Sequence, residues 1–216
     1  MNVLVVGGSS GLGLELAKKL TEDSHKVIAT GRNAPKDSGL DIREFDLTQT
    51  DLPKAIDDFV KGLPPIDSLH YVAGLYPPGT ITDLPPEQID ASLSVGGRGL
   101  MFFVRSLLIK QGKLAQLMTV TSTVQYEPRK GLVVFNFVKA GEGHFSSGMA
   151  EDERVGKVLV VAPSVMREHD DAKADKDFLD KTWVAETIIE ELDKDYRFRA
   201  IKLLHKPTRV EIVETR

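Results

Sequence analysis

The 216 residues suit one globular core, and a composition of 41% hydrophobic and 28% charged residues excludes disordered and fibrous classes. The absence of cysteine excludes disulfides, thiolate nucleophiles and zinc–sulfur centres, and it agrees with a reducing, cytoplasmic setting. A net charge of −4 leaves no basic footprint for nucleic acid, no apolar run reads as long enough to span a bilayer, and no export signal is expected at the apolar start Val3–Val6.

In chain order, a β-branched strand Asn2–Val6 is followed by a helix Leu12–Thr21 that carries Leu12, Leu16, Ala17 and Leu20 on one face. Strands then read at Lys26–Thr30, Ser68–Val72, Leu117–Thr121 and Lys157–Ala162, with helices at Leu52–Lys61, Pro86–Gln111, Leu132–Glu151 and Phe178–Leu192. Near the end, Arg199–Leu204 and Arg209–Val213 each read as a strand. The proline stretches 63–65, 76–78 and 84–86 read as loops, and the charged stretch 167–177 as a mobile surface loop. Strands alternating with helices predict a doubly wound parallel sheet, a Rossmann-type three-layer α/β/α fold, as a single domain over residues 1–216.

The helix Pro86–Gln111 contains a local conflict. Gly96, Gly97 and Gly99 each cost about 1 kcal/mol relative to alanine in a helix interior. Either the helix is interrupted there, or close packing and ligand approach offset the cost.

The segment Gly7-Gly8-Ser9-Ser10-Gly11-Leu12-Gly13 directly follows the first strand and opens the first helix. Glycines let the backbone approach a ligand, and the unpaired N–H groups of a helix start favour pyrophosphate. This is the pattern of a dinucleotide site built from Gly7, Ser9, Ser10, Gly11, Leu12 and Gly13, with Gly13 allowing close helix–strand packing. After the second strand stands Arg32, where a carboxylate would favour NAD. An arginine there either meets a 2′-phosphate, favouring NADP, or is a solvated surface residue. Asp46 and Leu47 follow as adenine-side candidates, Asp46 being otherwise a cap or turn residue, and Ala73-Gly74 offers a small-residue floor for the cofactor.

These residues resemble the short-chain dehydrogenase/reductase family from Met1 to about Val184. The glycine turn resembles T-G-x-x-x-G-x-G with Val6 at the threonine, and Tyr71-Val72-Ala73-Gly74 stands where the family usually carries N-N-A-G. Val161-Ala162-Pro163-Ser164 resembles the family's strand followed by Pro-Gly. The resemblance implies a catalytic serine at Ser122, a ribose-binding lysine at Lys139 and an acid–base tyrosine whose position holds Phe135. The family's helix asparagine falls on Gly96. Phenylalanine cannot move a proton, a role that typically contributes about 10²–10⁴ in rate.

Other hydroxyl and imidazole groups stand at neighbouring positions of the sequence. Tyr126 lies in the loop 123–130, either facing the substrate cleft or as an ordinary loop tyrosine, and Tyr71 is placed to pack on the cofactor. His144 lies five positions beyond Lys139, about 140° off that helical face. Glu142 has the spacing of an i,i+3 ion pair with Lys139, and no metal cluster is apparent.

The expected function is therefore an NAD(P)-dependent oxidoreductase, NADP before NAD, acting on an unidentified small carbonyl or alcohol with atypical catalytic residues. The alternative is a catalytically impaired NADP-binding regulatory or assembly protein, favoured by Phe135 and Gly96. A homodimer or tetramer through the helices 86–111 and 132–151 is expected from the family's usual pairing, with neither nucleic acid nor membrane as partner.

Overall fold

A computed structural model describes residues 1–35, 38–166 and 178–216. The expected surface loop 167–177 lies outside the described residues. Among the described residues, eight strands form one sheet in the order β3-β2-β1-β4-β5-β6-β7-β8. They are β1 (Asn2–Val6), β2 (Lys26–Gly31), β3 (Asp41–Glu44), β4 (Ser68–Tyr71), β5 (Leu114–Val120), β6 (Val155–Pro163), β7 (Phe198–His205) and β8 (Thr208–Thr215). All neighbours pair in parallel except β7 and β8, which form an antiparallel hairpin at the edge of the expected doubly wound sheet.

The three layers follow from the two-residue period of the strands. Val3 and Val5 join Leu12, Leu16 and Ala17 of α1 (Gly11–Glu22) and Val184 and Ile188 of α6 (Lys181–Leu192) in one buried core. Leu4 and Val6 point the other way, to Leu52 and Ile56 of α2 (Leu52–Lys61) and to Leu100, Phe103 and Leu107 of α4 (Gly99–Gln111). The helix α5 (Val133–Met149) lies on this second face, with Phe145 and Met149 packed against the same core. Sequence boundaries for β1 and α2 agree with the structure. The four-residue β3 was not expected. It is a short edge strand bearing Asp41, Arg43 and Glu44, so it lacks the apolar run that marks buried strands.

The glycine conflict in the run 86–111 resolves by close packing, the run staying helical while its geometry changes locally. An α-helix α3 (Pro86–Leu93) passes through a π-turn at Ser94–Arg98 into α4. A Cβ on Gly96 would overlap Val138 Cγ1 of α5, and one on Gly99 would overlap the Tyr71 hydroxyl. The continuous helical run is long and apolar enough by itself to cross a bilayer, contrary to the sequence expectation. Here most of its apolar stretch is buried inside the fold.

Candidate functional site

The carboxyl ends of the parallel strands bring Gly7, Gly31, Ala73, Ser122 and Ser164 to one edge of the sheet. The strand order reverses between β1 and β4, and open α/β sheets bind ligands at such a switch point. Val72 and Ala73 N–H groups both donate to the Val6 carbonyl, at 2.9 and 3.0 Å, closing the sheet beneath the glycine turn.

Gly7 has φ +88°, and a Cβ there would lie 2.6 Å from the Ala73 nitrogen. A Cβ on Gly13 would overlap the Gly7 carbonyl oxygen, so helix α1 sits directly on the end of β1 only because both positions lack side chains. The first intrahelical bond runs from Leu14 N–H to the Ser10 carbonyl at 3.1 Å, so the N–H groups of Gly11, Leu12 and Gly13 precede the helical ladder. Ser10 makes no side-chain cap and the first turn carries no acidic residue. Open space surrounds Gly11. These donors, with the helix dipole behind them, fit a pyrophosphate.

Ser9 Oγ lies against Gly31, at the end of β2, and the exposed Arg32 follows. Asp46 Oδ1 accepts from the Thr48 N–H and hydroxyl, both at 2.8 Å. Those two bonds, and then the Arg32 charge, hold its carboxyl below the usual carboxylate range. Asp46 thus closes a turn while it faces the Arg32 field. Leu47 is buried, and its carbonyl accepts from Ser94 Oγ at 2.7 Å, tying this loop to the π-turn. The resulting cradle of glycine turn, Arg32, Asp46 and Ala73-Gly74 fits a dinucleotide.

The candidate catalytic residues gather around the end of β5. Ser122 is half-buried and caps the short turn Thr123–Gln125 by accepting from the Val124 N–H. Lys139 Nζ donates to the Val120 carbonyl at 3.1 Å and to Glu142 Oε2 at 2.8 Å. The pair is buried, with side chains 6% and 0% exposed. Burial pushes the Glu142 carboxyl up, outweighing the opposite pull of Lys139. Glu142 Oε1 has no hydrogen-bond partner and would lie 2.9 Å from a Cβ on Gly96. Val138 and Glu142 therefore fill the space that any side chain at position 96 would need. A Cβ on Gly74 would lie 3.1 Å from Lys139 Nζ, so the ammonium packs closely against the backbone of this glycine.

Tyr71, Tyr126 and His144 all lie apart from the Ser122 and Lys139 group. Tyr71 does not reach the cofactor cradle: it is fully buried, and its hydroxyl donates to the Val95 carbonyl in the π-turn. Burial, and then Glu142, push that phenol well above its ordinary range. Tyr126 turns toward the β7–β8 hairpin, with Lys202 Nζ 5.0 Å from its ring centre. It lines a cavity of about 230 Å³ together with His144, Ser147 and Glu214, so neither Tyr126 nor His144 is grouped with Lys139. Among the described residues no group of acidic or imidazole side chains is placed to hold a metal ion.

Sequence reading missed one neighbour of Phe135. The Tyr76 ring packs edge-on against it, centroids 5.1 Å apart, and Lys139 Nζ lies 5.8 Å from the Phe135 ring centre. The only local signal was Pro77, which confines the residue before it to extended backbone.

The short chain dehydrogenase family profile matches residues 1–176. A relative from Arabidopsis thaliana, short-chain dehydrogenase reductase 5, is 30% identical over 134 residues, covering 56% of this chain but only 52% of its own length. The NADP-dependent 3-hydroxy acid dehydrogenase of Salmonella typhimurium is 30% identical over 169 residues, 70% of this chain and 66% of that protein. A solved short chain dehydrogenase from Burkholderia cenocepacia, in complex with NADP, superposes with a TM-score of 0.77 at 21% identity, covering 93% of this chain and 94% of that one. The glycine turn, the switch-point cradle and these matches together place the chain in the short chain dehydrogenase family.

Proposed function

We propose that this chain is an NADP-preferring oxidoreductase acting on a small carbonyl or alcohol with an altered proton donor. The observation that carries the reading is the meeting of two features at one sheet edge. One is the uncapped start of α1; the other is a buried lysine whose ammonium faces Gly74. The nicotinamide, when bound, supplies or accepts the hydride. The chain's own groups do the rest. The N–H donors of Gly11, Leu12 and Gly13 hold pyrophosphate, Arg32 meets a 2′-phosphate, Lys139 holds the ribose across Gly74, and Ser122 orients the substrate oxygen.

NADP is also named for the Salmonella relative. Exposed Met101 and Ile109 on α4, with Val133 and Phe137 on α5, support a homodimer or tetramer through these helices. Titration of NADPH and NADH against wild type and Arg32→Ala, followed by a screen of ketones and aldehydes, tests the reading. NADPH is expected to bind more tightly, with Arg32→Ala removing the difference. Equal affinity in the wild type overturns the NADP preference. Tight NADPH binding without turnover of any carbonyl favours the second reading, a cofactor-binding regulatory or assembly protein, for which Phe135 is the supporting observation.

A further inference from the structure

On the oxidoreductase reading, a hydroxyl must reach the substrate oxygen from somewhere other than position 135. We infer that Tyr76 is the catalytic proton donor, its phenol standing beside Phe135 in place of the hydroxyl that Phe135 lacks.

Three observations carry this. The Tyr76 and Phe135 rings meet edge to face at 5.1 Å and 71°, so the phenol is neighbour to the residue on the Lys139 side of the cleft. The loop that bears Tyr76 is fixed to the base of α5: the Gly79 N–H donates to the Gly131 carbonyl at 2.7 Å, and Gly79 bridges Leu132. Tyr76 is also 58% exposed, leaving it free to meet a substrate and to exchange its proton with water. The other two tyrosines near the site are committed elsewhere, Tyr71 to the Val95 carbonyl and Tyr126 to the face of the β7–β8 hairpin.

The step balances with a reduced dinucleotide as hydride donor. As the carbonyl carbon gains a hydride and its C=O π bond breaks, the Tyr76 O–H bond breaks and the product O–H bond forms. The phenolate then takes a proton from water.

The test compares wild type, Tyr76→Phe, Tyr126→Phe and Tyr76→Phe/Phe135→Tyr. Turnover of NADPH is followed with diacetyl and the carbonyls of the same screen as probes, and NADPH affinity is followed separately by its fluorescence. Tyr76→Phe is expected to lower kcat by about 10²-fold with NADPH affinity unchanged. Tyr126→Phe is expected to match wild type, and the double variant to recover turnover. Unchanged kcat in Tyr76→Phe overturns the assignment, and so does a loss explained by weaker NADPH binding. A wild type that binds NADPH but reduces none of the probes overturns the oxidoreductase reading itself, and the assignment with it.

Discussion

Lys139 and Glu142 hold each other at 2.8 Å in a part of the interior where the more exposed of the two side chains is only 6% accessible. A buried pair of this kind is weak evidence of net stability, because desolvating both charges offsets their attraction. Removing one partner is a different matter. Glu142→Ala leaves an ammonium buried with only the Val120 carbonyl, and is expected to cost about 3–5 kcal/mol. Changing both residues to methionine should recover most of that loss. Urea denaturation of Lys139→Met, Glu142→Met and the double methionine variant measures it; a fully additive double variant would show that the charges are not coupled.

The start of α1 offers a cleaner test of phosphate binding than its glycines do. Any side chain at Gly13 overlaps the Gly7 carbonyl and disturbs the turn itself. Ser10 is exposed and forms no side-chain cap. Ser10→Asp should stabilise the helix by about 0.3–1 kcal/mol through the dipole while repelling a pyrophosphate from the same N–H groups. The expected result is an unchanged or higher Tm with NADPH affinity lost. Retained affinity would move the phosphate site elsewhere.

The π-turn and Tyr71 form one packed unit. Gly99→Ala places a methyl group on the Tyr71 hydroxyl and is expected to destabilise by about 1–3 kcal/mol. Tyr71→Phe leaves the Val95 carbonyl without its donor, for a cost of about 1–3 kcal/mol. The double variant should cost less than the sum, because the second change removes the oxygen that the methyl group meets. Denaturant midpoints of the four proteins give the coupling directly.

Acid should weaken the fold in two stages. Burial pulls the His70 imidazole down to about 4, outweighing the opposing pull of Gln116. The unfolded chain binds a proton at about 6.5 that the folded chain refuses. Stability from this group is therefore complete above pH ~6.5 and falls toward pH ~4, by up to about 3 kcal/mol. Asp152, held at about 2 by the hydrogen bonds from Arg154, loses its contribution only as pH falls from its ordinary range through that value. Urea midpoints at pH 7 and pH 5 should differ in wild type and far less in His70→Leu. An equal difference in both proteins would remove His70 as the cause.

Much of the fold was legible because each local signal agreed with the next. The apolar run Asn2–Val6 and the amphipathic Leu52–Lys61 stand in the structure at those bounds, and the Gly7–Gly13 turn lies between strand and helix as expected. The spacing of Lys139 and Glu142 announced an ion pair, but not its burial, which is set by Gly96 and by β5. Strand β3 escaped notice because an edge position tolerates its charges. Tyr71 was misplaced because a polar-tipped residue at the end of a strand reads as a site residue; the buried carbonyl that accepts its hydrogen bond belongs to a helix distant in sequence. Tyr76 and Phe135 meet through a backbone tie between Gly79 and Gly131, and no periodicity links such distant segments.

The absence of a side chain at position 96 also limits the paths open to mutation. A residue with a Cβ there runs into Val138 Cγ1 and the Glu142 carboxylate at once. Phe135 is only half-buried, so a change there meets fewer such obstacles, whereas a side chain at 96 requires Val138 to shrink or shift first. Which substitutions position 96 accepts thus depends on what has already changed at 138.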